Sequence, residues 1–409
     1  MYDVLRGMRV VECASFIAAP SCALHMQQLG AQVLRIDPIG GGPDYRRWPV
    51  SEAGDSFYWE GLNKGKQSIA IDLASPQGRE LAVEIITAPQ PSGGGLFVTN
   101  FPQQGFLSHE KLAKRRADLI TVRVMGWSDG EPAVDYTVNA ATGIPFMTGP
   151  EGSQRQPVNH VLPAWDLITG AYAAFAALAA ERYRRETGMG QEVLVPLSDV
   201  AIASLGHMGQ LAEVLTAGDR APIGNALFGA FGRDFLSADG QALMVVAITA
   251  RQWSGLLEAL ELRGRVADLE CELQLSFAQD EGLRFQHRTR LYPLFEAAIG
   301  CLPLSEIKAR FTARSVCWSP YRQLSQALQE EPRFSLQREL FSANLVHPSG
   351  HRYPAPGSAA SFQGAHRLPL SPAPHLGAHT EEVLADLLKL SSSHIGELFD
   401  AGIVANHKV

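Results

Sequence analysis

Apolar positions come in short β-branched runs separated by amphipathic stretches. Residues 8–14 (MRVVECA) form one run, and a small-residue segment leads into the helical spacing of Ala23, Leu24 and Leu29, closed by Gly30. A second run at 32–36 ends in Asp37, which completes a β-α-β unit. Residues 68–71 read as a third strand. Ser75 and Pro76 follow in the favoured N-cap and N1 order, opening a helix with Leu81 and Ile85 on one face. Residues 94–98 and 119–124 read as further strands. Strands alternating with helices predict an α/β fold with a doubly wound, mainly parallel sheet.

Residues 167–187 favour helix throughout, with an Ala-rich first half, Arg182, Arg184 and Arg185 near the end, and Gly188 as the stop. The character then changes. A strand pair is expected around Asp239-Gly240 (FLSADGQALMVVAI), followed by Leu- and Glu-rich helices. The expected organisation is a Rossmann-like large domain over 1–200, a smaller α+β domain over 225–325 and a C-terminal segment, 335–409, returning to the large domain. Residues 347–379 are rich in Pro, Gly, Ser and His, as expected of an irregular stretch wrapping another domain or subunit, before a last helix near 380–390.

Of the 409 residues, 42 are acidic and 35 basic, a net charge of −7, so a general nucleic-acid binder is not expected. Charged residues are 19%, against about 25% in typical chains, which points to a large buried interface. The opening residues lack a basic and apolar leader pattern. The longest apolar stretch, 170–180, is shorter than the roughly 18–20 residues of a membrane span, so a cytoplasmic protein without membrane contact is expected. The five cysteines, Cys13, Cys22, Cys271, Cys301 and Cys317, show neither C-x-x-C nor metal spacing. No disulfide framework and no metal site are expected, and buried apolar packing is expected for all five.

The β-α-β unit raises the question of a dinucleotide. Residues 13–24 contain no glycine, however, and a pyrophosphate needs glycines for the turn and for close backbone approach. Gly40, Gly41 and Gly42 follow the second strand and precede Pro43, so they open no helix as a phosphate loop does. Arg35, Arg46, Arg47, Lys64 and Lys66 lie interleaved with Tyr45, Trp48, Tyr58 and Trp59. Such a cluster suits a ligand with phosphates and a flat base, although composition alone favours a solvated charged face. Asp166 precedes the long helix and reads as an N-cap. A carboxylate in that apolar setting also suits a covalent nucleophile, and one residue can hold both roles. Asp135 alone reads as a turn residue. His25, His160 and His207 accompany no G-x-S-x-G pattern, so a Ser/His triad has no support.

Several segments resemble, in order and spacing, the class III CoA-transferase family. They are 5–11, 29–38 (LGAQVLRIDP), 63–73 (NKGKQSIAIDL), 99–101, 166–170 (DLITG), 185–193 (RETGMGQEV) and 372–380 (PAPHLGAHT), which together cover nearly the whole chain. Residues 37–50, 134–139, 159–166 and 229–235 look most like the branch that moves CoA between the two carboxyl groups of one five-carbon unsaturated dicarboxylic acid. Transfer from an acyl-CoA to a separate acid is the alternative.

The resemblance implies an interlocked homodimer, an acyl-CoA substrate, no cofactor beyond CoA itself, and Asp166 as the nucleophile. By position it implies that Ile17, Ala18, Ile71, Leu73, Asn100 and Phe101 cradle CoA, largely through backbone groups. Arg35, Arg46 and Arg47 are added on charge grounds, for the CoA phosphates or the substrate carboxylate. Asp135 matches a family acid near the nucleophile and is expected to tune it. The racemase branch has a histidine immediately before that acid, where this chain has Val134, and loss of one proton-transfer group argues against racemisation.

Overall fold

The structure is a computed structural model that describes residues 1–90, 93–153 and 156–407; the last two residues of the C-terminal segment lie outside the described residues. The chain divides into two compact units, one of residues 1–142, 160–217 and 336–409, the other of residues 143–159 and 218–335.

The first unit is built on β1 (Arg9–Cys13), β2 (Gln32–Pro38), β3 (Gln67–Ile71), β4 (Leu96–Thr99), β5 (Ile120–Met125) and β6 (Gln191–Pro196). These six pair in parallel in the order β3-β2-β1-β4-β5-β6, the doubly wound arrangement the alternating pattern predicts. The short strand Val404–Ala405 adds antiparallel to β3. Helices cover both faces of such a sheet, so its strands read as near-continuous apolar runs, and Val10, Val11, Leu34, Ile36, Ile69, Phe97 and Val122 are all buried. The helix Pro76–Thr87 starts as its sequence dictates: Ser75 Oγ accepts the Gly78 N–H at 3.0 Å and Pro76 takes the first turn.

Glu12, Arg35 and Asp37 interrupt the apolar strands, Lys66 immediately precedes β3, and all four are fully or almost fully buried. The register explains them, because β1 and β2 place Glu12 beside Arg35. Arg35 pairs with Glu12 at 2.8 Å and with Asp37 and Asp44 at 2.9 Å each, and Lys66 Nζ lies 2.7 Å from Glu12. Buried charges persist where opposite partners satisfy them.

The 335–409 segment is more ordered than its composition suggests. It holds a hairpin, Phe341–Val346 with Arg352–Pro356, and two helices, Thr380–Leu388 and Ser392–Asp400. It lies on its own unit: the Trp59 indole N–H donates to Pro374 O at 2.9 Å, and the Ser68 N–H donates to His379 Nδ1 at 3.2 Å.

The second unit carries the antiparallel strands Phe231–Leu236, Ala242–Ala247 and Cys317–Pro320, the first two joined around Asp239-Gly240 with Gly240 at φ 74°. Helices pack over an aromatic core that includes Phe231, Trp253, Phe295 and Phe311. One expectation is corrected: Cys13 and Cys22 are buried, but Cys271, Cys301 and Cys317 are exposed on or beside helices and strands of this unit. Among the described residues no helix is long and apolar enough to cross a membrane.

Candidate active site

In a doubly wound sheet, ligands bind beyond the carboxyl ends of the strands, where the connections diverge to opposite faces. Here that point lies between β1 and β4, whose ends pair Cys13 with Thr99. Asn100 clamps the loop leaving β1: its Oδ1 accepts the Ser15 N–H at 3.1 Å and its Nδ2 donates to Ser15 O at 3.0 Å. Thr99 Oγ1 donates to Cys13 O at 2.8 Å and accepts the Phe101 N–H at 3.0 Å. The loop passes Phe16 at φ 67°, a strained value for a bulky residue, and enters the helix Ala18–Gln28, whose first residue follows Ile17 without a side-chain cap. Ile17, Ala18, Asn100 and Phe101 therefore share one rim. Ile71 ends β3 on the same rim with its side chain fully buried, and Leu73 follows, packed against the core.

The helix Ala164–Thr187 crosses Ala18–Gln28 closely, and Gly170 permits this. A Cβ at Gly170 would lie 1.9 Å from Ser21 Oγ and 2.7 Å from Ala18 O. The crossing carries the first turn of the longer helix to the rim, and Asp166 sits in that turn.

Asp166 does not cap its helix. Asp135, at the start of the helix Asp135–Ala141 and 1% exposed, does so from outside. Its Oδ2 accepts the N–H of Trp165 at 2.7 Å and of Asp166 at 3.1 Å. The Trp165 indole N–H donates to Asn139 Oδ1 at 3.0 Å, pinning the two helices together. The helix begins at Ala164, so Asp166 lies inside its first turn rather than at the cap position, and its carboxyl is not engaged in capping. Burial, then the Asp135 charge, push it up to about 7 against the opposing pull of Arg47. Such a carboxylate is more basic, and so more nucleophilic, than an exposed aspartate.

Arg47 and Arg46 part company. The Arg47 guanidinium stands 5.6 Å from the ring centres of both Phe16 and Tyr58. Arg46 instead lines a cavity of about 360 Å³ with Tyr45, Asp55, Trp59 and His375. Arg35 is a correction to the sequence expectation. It is fully buried, and its nitrogens donate to Glu12, Asp37, Asp44 and Asn63, leaving none for a phosphate. Lys66 is likewise consumed, by Glu12, Pro20 O and Asn63, so the solvated-face reading also fails for this half of the cluster.

Two residues that the sequence reading named without a role in the site belong to it. Tyr58 Oη is buried without a hydrogen-bond partner among the described residues, and both Arg47 and Asp166 act on its ionisation. Burial raises the phenol, so it stays a donor. A buried hydroxyl with no protein partner beside a carboxyl and a guanidinium is a ready donor for a ligand. His160 Nε2 lies 2.7 Å from Asp135 Oδ1, and the Tyr136 hydroxyl donates to Val161 O at 3.0 Å, holding the loop in place. Asp135 thus has an imidazole neighbour despite Val134, supplied 25 residues later in the chain. An aromatic among cations was the signal for Tyr58, and for His160 only its place in the 159–166 segment, with no role attached. Among the described residues no group of three or more His, Cys, Asp or Glu is placed to hold a metal ion.

Comparison with known proteins gives the same direction. The chain is 47% identical to 2-methylfumaryl-CoA isomerase of Chloroflexus aurantiacus, over 99% of this chain and 98% of that one. It is 24% identical to human succinyl-CoA:glutarate CoA-transferase, over 99% and 90% of the two chains. Among solved structures, a CAIB/BAIF family protein from Brucella suis superposes with a TM-score of 0.74 at 23% identity, covering 95% of this chain and 100% of that one, a likeness of fold. The model of CoA-transferase family III matches residues 5–380. A raised, uncapped carboxyl on the sheet's binding rim and a match across nearly the whole chain agree, and the chain belongs to the class III CoA-transferases.

Proposed function

We propose that this enzyme moves CoA within one molecule, converting 2-methylfumaryl-CoA (mesaconyl-C1-CoA) to 3-methylfumaryl-CoA (mesaconyl-C4-CoA), with Asp166 as nucleophile. The observation that carries the chemistry is the Asp166 carboxyl in the first turn of its helix, beside Asp135 and raised to about 7. The near-full-length likeness to 2-methylfumaryl-CoA isomerase supports the substrate.

Four acyl substitutions complete the reaction. Asp166 Oδ attacks the C1 thioester carbonyl; the C–S bond breaks and CoA thiolate leaves, giving a mixed anhydride. The thiolate attacks the aspartyl carbonyl, releasing the C1 carboxylate and leaving an aspartyl-CoA thioester. The C4 carboxylate attacks that thioester and expels the thiolate, forming an anhydride at C4. The thiolate attacks the C4 carbonyl and frees Asp166. Each step moves negative charge between oxygen and sulfur. Arg47 and the Tyr58 hydroxyl are placed to stabilise that charge, and Ile17, Ala18, Ile71, Leu73, Asn100 and Phe101 offer the rim along which CoA lies. Arg46 meets substrate only if the acyl-CoA extends into its cavity. No cofactor other than the CoA of the substrate takes part.

The working form in this reading is an interlocked homodimer in the cytoplasm. Ile168, Tyr172, Phe175 and Tyr183 make an exposed apolar stripe on the helix Ala164–Thr187, and the helix Gln210–Ala217 buries no residue within its own unit. Apolar faces of this kind mark subunit interfaces.

The test is incubation with mesaconyl-C1-CoA alone, with labelled free mesaconate in a parallel tube. Formation of the C4 isomer without label uptake is expected. A requirement for added acid, or heavy label uptake, would assign transfer between two molecules.

A further inference from the structure

Away from Asp166, a cavity of about 330 Å³ opens beside the helix Phe57–Leu62, walled by Phe57, Gly61, Pro354, Ala355 and Pro356. Two polar groups facing it are unmatched. Lys64 is 5% exposed, and among the described residues it makes no hydrogen bond or ion pair. Glu60, one turn back on the same wall, does not answer it, because its two oxygens are taken by the Ser349 N–H and the Tyr353 hydroxyl. His347 is 3% exposed; its Nε2 bonds to Tyr353 O at 3.1 Å, and its Nδ1 has no partner among the described residues.

A buried cation without a counter-charge is costly, whereas one that meets an anion forms a strong, desolvated pair. We infer that this cavity is a second, non-catalytic binding site for a small carboxylate with a short apolar tail, its carboxylate on Lys64 and its tail against Phe57 and the Pro354–Pro356 wall. A phosphate fits poorly, since one ammonium and an apolar wall leave most of its oxygens unbonded. Burial, then the like charge of Lys66, push Lys64 down to about 8.

The probe is hexanoate, with 1-hexanol as its uncharged match, titrated into the whole protein at pH 7 by calorimetry and ligand-observed NMR. Wild type and Arg47→Ala should bind hexanoate alike, and hexanol about tenfold or more weakly. Lys64→Met and Lys64→Gln should each lose hexanoate binding by about tenfold or more. The thermal midpoint of Lys64→Met should not fall below wild type, since an unpaired buried cation is removed. The site is overturned if wild type does not bind hexanoate, if hexanol binds equally well, or if the Lys64 variants bind as wild type does. Loss of binding in Arg47→Ala alone would assign the hexanoate to the Asp166 site instead. Should either Lys64 variant unfold, the comparison of hexanoate with hexanol on wild type and on Arg47→Ala still decides, since carboxylate-selective binding kept in Arg47→Ala lies away from Asp166.

Discussion

Asp135 Oδ2 accepts the backbone N–H of Asp166 at 3.1 Å, so one carboxylate closes the first turn of the helix on which the other is displayed. The bond does two things. It satisfies a helix-terminal donor, and it brings a like charge near enough to raise the Asp166 carboxyl.

Asp166→Asn should abolish turnover while stabilising the fold at alkaline pH. The carboxyl rises from its ordinary 3.8 to about 7, so between these values the folded state holds more protons than the unfolded one. Stability therefore falls as pH rises through that window, and the variant escapes the loss. Allowing for partial solvent screening, the gain at pH 8 should be about 1–2 kcal/mol, vanishing below about pH 4. Thermal denaturation at the two pH values checks both the sign and the window.

Turnover requires ionised Asp166, so kcat/KM should rise with pH through about 7 and level off. The Asp135 charge raises this carboxyl and Arg47 lowers it. Asp135→Asn should therefore shift the rising limb to lower pH, and Arg47→Ala to higher pH, each with a reduced plateau. Rate profiles of the three proteins separate these charge effects from a general loss of structure, which would lower the plateau without moving the limb.

Gly170→Ala should destabilise the protein by about 1–3 kcal/mol, the usual range for overpacking, because the added carbon meets Ser21 Oγ at 1.9 Å and Ala18 O at 2.7 Å. Adding Ser21→Ala should recover only part of the loss, since the backbone oxygen remains. Denaturant unfolding of the single and double variants measures the two contributions, and turnover should fall with the displacement of Asp166.

Arg35→Leu should cost about 3–5 kcal/mol by leaving Glu12, Asp37 and Asp44 buried without their shared cation. Whatever protein folds should keep its KM for acyl-CoA. A large rise in KM with unchanged stability would instead return Arg35 to the binding surface.

Much of the framework was legible because it depends on local pattern. The β-branched runs predicted β1 to β5 to within a few residues, and Ser75, Pro76 and Gly188 marked helix ends by their own chemistry. The short helices His109–Arg115 and Asp135–Ala141 were missed, each only 7 residues long with too few turns to show a period. The hairpin Phe341–Val346 with Arg352–Pro356 was hidden by a composition that reads as loop.

By itself the sequence determined the alternating strand and helix order, the absence of a glycine-rich phosphate loop and the candidacy of Asp166, since each rests on residues adjacent in the chain. Only the tertiary structure decided what Arg35 does, because its role follows from the register that sets it beside Glu12. Only it decided that Asp135 rather than Asp166 caps the helix, that His160 reaches Asp135 and that Tyr58 Oη has no partner among the described residues. A charge or hydroxyl carries the same letter whether solvated, paired or poised for a ligand. Its state is set by neighbours that the fold brings in from tens of residues away.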